Sequence, residues 1–290
     1  MTDTYLIENY QITHLTSGRD LLRFPSFEVS QQPPVVIANP NYNNANPSTA
    51  AVTAPEPNDS RAIDASNISF STLPGTAEEA QAIAPLLPNP TLLLEENATE
   101  NAIKQVHQPS ILHIATHGFF LQDLPQSPPD LELTSSFNEL PPAASLQENP
   151  LERSGLAFAG ANQRQSGQRN GILTAMEASG LDLRGTQLVV LSACDTGVGQ
   201  VATGEGVYGL RRSLTIAGAE SQSMSLWQVE DNSTKDLMIA YYQNLRAGQG
   251  RSEALRQAQL AMINSKDNDY RPYHWAAFIN SGNWTPLDMP

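Results

Sequence analysis

Two residues of this 290-residue chain combine a chemically capable side chain with a setting that can expose it. Cys194 is the only cysteine, and it follows the apolar run Leu188-Val189-Val190-Leu191. That run is short and β-branched enough for a fully buried strand, and Ser192-Ala193-Cys194 closes it before Asp195-Thr196-Gly197 turns the chain into a glycine-punctuated loop. His117 follows a second such run, Ile111-Leu112-His113-Ile114-Ala115, and precedes Gly118. A thiolate is a strong nucleophile, and a neighbouring imidazole can take the thiol proton and return it to a leaving group. The oxyanion then formed needs convergent donors, which backbone N–H groups beside small residues supply. Gly118 offers one such N–H and Cys194 offers its own. A lone cysteine at a strand end is ordinarily a small buried hydrophobe, and a histidine beside glycine ordinarily closes a turn. The two at matching strand ends of one sheet make coincidence a poor explanation.

The elements between them read as an α/β protein. Val35–Ala38, Thr91–Leu94 and Ile111–Ala115 are strand-like, and helical patterns fall between them: Thr76-Ala77-Glu78-Glu79 resembles a capping box, and Asn97 can cap a helix through Ile103 and Val106. Strand, helix, strand, helix, strand predicts a doubly wound, mostly parallel sheet with helices on both faces. Ligands of such sheets bind at the strands' C-terminal edge, which is where Cys194 and His117 fall. Further on, the pattern gives a strand at Gly155–Ala159, a short helix at Leu173–Gly180, a helix near Gly206–Ala217, a strand near Gln222–Trp227, helices near Ser233–Arg246 and Ser252–Asn264, and an apolar run at Trp275–Ile279. Tyr5–Leu15 has partial strand alternation, and so early a first element is what a piece of a longer protein would show. Asn39–Arg61, Leu121–Pro150 and Asn162–Asn170 are rich in Pro, Asn or Gly and poor in large apolar residues, so they read as flexible insertions.

Composition excludes several classes. A net charge of −14 disfavours nucleic acid and anionic membrane surfaces as partners. No apolar run approaches the roughly 20 residues of a membrane-spanning helix, and the N-terminus lacks the pattern of a secretory signal. One cysteine forms neither an internal disulfide nor a multi-cysteine zinc site. No metal and no cofactor is expected, and the location expected is cytoplasmic.

Four segments, ILHIATHGFF (111–120), LVVLSACDTG (188–197), GEGVYGLRRSL (204–214) and AGAESQSMSLWQV (217–229), resemble the CHAT domain, a caspase-like domain found with tetratricopeptide repeats in bacteria and related to separases and caspases. The resemblance runs from about Tyr5 to Leu287 and makes residues 1–290 one domain. It implies a caspase-like α/β fold, a cysteine endopeptidase acting on protein or peptide substrates with a dyad at His117 and Cys194, and a regulatory partner of tetratricopeptide-repeat type. The alternative is a catalytically inactive module of the same fold that serves protein interaction. The His–Cys separation exceeds the caspase spacing of about 50 residues, and the Leu121–Pro150 insertion supplies much of the excess. No 34-residue period is visible. Asp195 stands where glutamate is common in the family and keeps its charge. Asp195 and Glu205 flank the cysteine loop and can hold a basic side chain of the substrate, although acidic loop residues are ordinarily solvated. Arg211 and Arg212 would favour an acidic one, but on a helix they are ordinarily surface pairs. His113 reads as a core or tautomer-fixed histidine, and His14, His107 and His274 as structural.

Overall fold

A computed structural model describes residues 4–24, 27–46, 68–120, 150–163, 170–192, 194–195, 205–227, 229–265 and 271–288. Among these, the strands are β1 (Val35–Pro40), β2 (Thr91–Glu95), β3 (Ile111–Ala115), β4 (His117–Phe120), β5 (Ser154–Ala157), β6 (Ile172–Thr174), β7 (Leu188–Leu191), β8 (Cys194–Asp195), β9 (Ser221–Ser225) and β10 (Phe278–Gly282). The helices are α1 (Leu6–Asn9), α2 (Asp20–Arg23), α3 (Pro74–Ile83), α4 (Glu100–Lys104), α5 (Ala175–Ala178), α6 (Glu205–Ala217), α7 (Asp231–Arg246), α8 (Arg251–Ile263) and α9 (Pro272–Trp275).

The central sheet has six strands in the order β10-β9-β7-β3-β1-β2, parallel throughout except for β10 against β9. Its inner strands are buried on both sides, and the period of two sorts their side chains between two cores. Val36, Ala38, Ile111, Ala115, Leu188 and Val190 pack with α3, α7 and α8 through Ile83, Leu237, Tyr241 and Leu255. Val35, Ile37, Leu112, Ile114, Val189 and Leu191 pack with α4, α5 and α6 through Ile103, Ala178 and Leu214. The mostly parallel α/β sheet with helices on both faces is therefore the architecture present.

A second, four-stranded sheet, β6-β5-β4-β8, was not expected. It arises because β3 and β7 do not end at Ala115 and Leu191. After Thr116 and Ser192–Ala193, each chain resumes as β4 and β8, again paired in parallel. Ile114 faces Leu191 in the first pair, and His117 faces Cys194 in the second, three residues further along each chain. The register is carried across the break without a slip.

Several local expectations are corrected. Tyr5–Leu15 is not a strand. Leu6–Asn9 makes a helical turn whose carbonyls at Ile7 and Glu8 take the Arg256 guanidinium at 2.7 Å each. Helix α3 opens at Pro74, where a missing N–H costs nothing, so Thr76 lies inside its first turn rather than capping it. Its hydroxyl donates to Leu73 O and accepts from Asn39 N. Thr99, not Asn97, caps α4, by accepting from Ala102 N at 3.0 Å. Leu173 and Thr174 belong to strand β6, and Thr174 caps the short α5 with Glu177 in a capping box. Of the three segments read as insertions, 47–61, 121–149 and 164–169 lie outside the described residues. The parts that are described are structured: Asn39 and Pro40 extend β1, Tyr42 is buried, Pro150 opens a 3₁₀ turn, and the Asn162 amide pairs with both backbone groups of Phe70.

Because β3 is flanked by β7 and β1 and buried on both faces, a cavity there has no surface to relax into. Ile114→Ala should lower unfolding free energy by about 2–5 kcal/mol, read as a reduced denaturation midpoint in urea. A loss below about 1 kcal/mol would mean that β3 is not central to the core.

Candidate active site

His117 occupies an aromatic slot at the start of β4. Its ring lies 5.1 Å from that of Tyr42 and 5.7 Å from that of Phe70, the latter nearly parallel at 30°. Phe70 in turn meets Phe119, and the cluster is closed by Ile68, Ala157, Ala161 and Ile172. Only 3% of the His117 surface is exposed.

The ring's tautomer follows from its partners. Nε2 lies 2.8 Å from the carbonyl oxygen of Ser71, which can only accept, so Nε2 carries the proton. Nδ1 is then the basic nitrogen. It is buried and, among the described residues, has no hydrogen-bond partner. The backbone below is fixed in the same way. Thr116 Oγ1 donates its one proton to Ala157 O, so it accepts from the Tyr42 hydroxyl at 2.9 Å, and Tyr42 accepts from His117 N at 3.3 Å. Burial pushes the Tyr42 phenol well above its ordinary range, which keeps that donor protonated.

Burial also lowers the His117 pKa below 6.5, since desolvation penalises the imidazolium. The Ser71 carbonyl and the Asp231 carboxylate act in the opposite direction and only partly offset it. The imidazole is thus neutral at neutral pH, as a base must be.

On the facing strand, Cys194 is the Cα partner of His117, and Asp195 that of Gly118. Of Cys194, Asp195 and Glu205 only the backbone is described, the first two in β8 and the third at the start of α6, so the sulfur's position and the two acidic side chains lie outside the described residues. Gly118 is flanked on both sides, by Leu156 of β5 and Asp195 of β8. The remaining histidines sit elsewhere. His14 bridges to Ser281, His107 bridges to Asp182, and His274 Nδ1 lies 3.2 Å from Ser233 Oγ. His113 is fully buried beneath the site, with Nδ1 3.0 Å from the Tyr242 hydroxyl and Nε2 3.1 Å from Glu79 Oε1.

Sequence reading missed Tyr42, Phe70, Ser71, Glu79 and Ser192. The signal available for Tyr42 was an isolated aromatic in an otherwise polar stretch, and for Phe70 its alternation with Ile68. Nothing local marks Ser71, whose contribution is its carbonyl.

A mostly parallel sheet whose C-terminal edge sets a histidine and a cysteine in register defines an α/β domain of the caspase-like class. Within that class, the chain belongs to the CHAT domain family, whose family model matches residues 2–283. It is similar to Tetratricopeptide repeat protein 28 of Homo sapiens, 27% identical over 226 residues, and to the Mus musculus protein of the same name, 27% identical over 227. Each match covers 75% of this chain and 9% of the relative, so the chain corresponds to a small part of either one's length. Among the described residues, no helix is long and apolar enough to cross a membrane.

The lowered His117 pKa carries a sign for stability. The folded state binds fewer protons than the unfolded one once the pH falls below about 6.5, so acid favours unfolding. His117's contribution is intact above that pH and declines through the window down to the folded pKa. Urea denaturation at about pH 7.5 and about pH 5.5 should show wild type losing more stability than His117→Phe. Equal losses would show that His117 is not held neutral by burial.

Proposed function

We propose that residues 1–290 act as one cysteine endopeptidase domain, with Cys194 as nucleophile and His117 as general base and acid. The observation that carries this reading is the parallel pairing of His117 with Cys194, taken together with the Nε2–H tautomer fixed by Ser71 O. That tautomer leaves Nδ1 as the nitrogen able to take the thiol proton. In the proposed reaction Cys194 Sγ attacks the scissile carbonyl carbon as its proton passes to His117. The N–H groups of Gly118 and Cys194 receive the oxyanion. The imidazolium then protonates the amine as the C–N bond breaks, and water, deprotonated by His117, hydrolyses the thioester. Substrates are proteins or peptides, and Asp195 and Glu205 stand as candidates to hold a basic side chain beside the cysteine loop. The relatives' name, Tetratricopeptide repeat protein 28, makes a protein of that repeat type the regulatory partner to test first. A cytoplasmic setting suits an unpaired thiol.

Cys194→Ala should abolish both peptide cleavage and labelling by a thiol-directed electrophile. His117→Ala should keep the thiol but lose its base and the acid for the leaving amine. Labelling should then slow at neutral pH and rise toward the reference thiol pKa of about 8.5, while cleavage stays absent at every pH. Coincident labelling profiles for wild type and His117→Ala would remove His117 from the role. His117-dependent labelling without any cleavage would favour the inactive interaction module.

A further inference from the structure

We propose that Glu79 is a positioning residue for the Cys194–His117 site, tying Ser192, which leads into Cys194, to His113, on the strand that leads into His117. The inference rests on the peptidase reading of that pair and assigns the site a support lying one layer below it.

Glu79 sits on α3 with 2% of its surface exposed, at a place where an acidic side chain has no solvent to face. One carboxyl oxygen, Oε2, accepts from Ser192 Oγ at 3.1 Å. The other, Oε1, lies 3.1 Å from His113 Nε2, close enough for a strong electrostatic contact although not aligned as a hydrogen bond. With Nε2–H toward the carboxyl group, His113 Nδ1 is the acceptor for the Tyr242 O–H at 3.0 Å. Burial keeps the Tyr242 hydroxyl protonated, so it remains a donor. A single side chain from α3 thus joins the residue that follows β7 to the middle of β3 and, through His113, reaches α7.

The two strands so joined are the two that break and resume. Ser192 lies two residues before Cys194, and Ser192 N donates to Ile114 O at 2.9 Å, which fixes the crossing point of the pair. A buried ionisable pair is seldom the most stable filling for a core, since apolar residues of like volume usually do as well. What Glu79 adds is direction. It holds the hydroxyl of Ser192 just past the last pair of the β3–β7 ladder, and the ring of His113 at the pair before that last one. Glu79 and Ser192 line a small recess together with Thr116 and Thr234, and among the described residues the buried Thr234 hydroxyl has no hydrogen-bond partner. Thr234 is therefore a neighbour of the brace without being part of it.

The test compares labelling of Cys194 by iodoacetamide, per folded molecule and over a pH series, in wild type, Glu79→Ala, Glu79→Gln, Ser192→Ala and Thr234→Val, with melting temperatures measured alongside. Glu79→Ala should slow labelling on the order of tenfold or more, as expected when reacting groups lose alignment. Glu79→Gln, which restores length and one acceptor, should recover part of the rate, and Thr234→Val should leave it at the wild-type value. Ser192→Ala, which removes one contact and no ionisable group, should also slow labelling and carries the test alone if Glu79→Ala does not fold. A lower melting temperature with wild-type labelling in Glu79→Ala or Ser192→Ala would make Glu79 merely structural and overturn the proposal, as would an equal slowing in Thr234→Val. If His117→Ala does not change the wild-type rate, the peptidase reading fails and this proposal with it. A His117-dependent rate that ignores Glu79 and Ser192 defeats this proposal alone.

Discussion

The structure depends first on the parallel pairing of β3 with β7. Both strands are buried on both faces, and their side chains alternate between two separate cores. A shift of one residue would exchange those two sets, placing His113 among the apolar residues against α5 and α6 and driving Ile114 toward Glu79. The register is therefore held by the whole interior rather than by any contact near the site. Because β4 and β8 inherit it, the placement of His117 opposite Cys194 is a consequence of core packing some distance away.

Such inheritance requires the break between the paired segments to be held as firmly as the segments themselves. Thr116 and Ser192, both buried, lie there with polar groups that the sheet cannot satisfy in full. They are met from different directions: Tyr42 and Ala157 bond the Thr116 hydroxyl, and Glu79 bonds that of Ser192. Unpaired, each would cost about 1–3 kcal/mol as a buried polar group. The sheet can stop and restart because the segment after β1, the strand β5 and the helix α3 each complete one end of it.

This division explains what was legible in the sequence. Ile111–Ala115 and Leu188–Leu191 announce themselves as buried strands, and with them the C-terminal edge and the residues beyond it. Helices α6, α7 and α8 were read within about two residues because their apolar periods are long. The second sheet was invisible, since β8 has two residues and β6 three, too short for any period to show. The aromatic slot was invisible for another reason. Ser71 and Tyr42 reach His117 across 46 and 75 residues of chain, and their stretches are locally polar. Thr76–Glu79 misled because a good local capping pattern was overridden by Pro74, which starts the helix earlier and leaves Glu79 free to turn inward.

The choice of group that orients His117 has its own consequence. A carboxylate at Nε2 would fix the same tautomer, but its full negative charge would stabilise the imidazolium and raise the pKa. The Ser71 carbonyl fixes the tautomer with a dipole only, so burial prevails and the ring stays neutral at neutral pH. Among the groups described, the negative charge that acts on His117 comes from Asp231, in the first turn of α7. Orientation and electrostatic support are thus supplied by different elements, the segment before α3 and the start of α7. A ring held this way can accept a proton at Nδ1 without already carrying one.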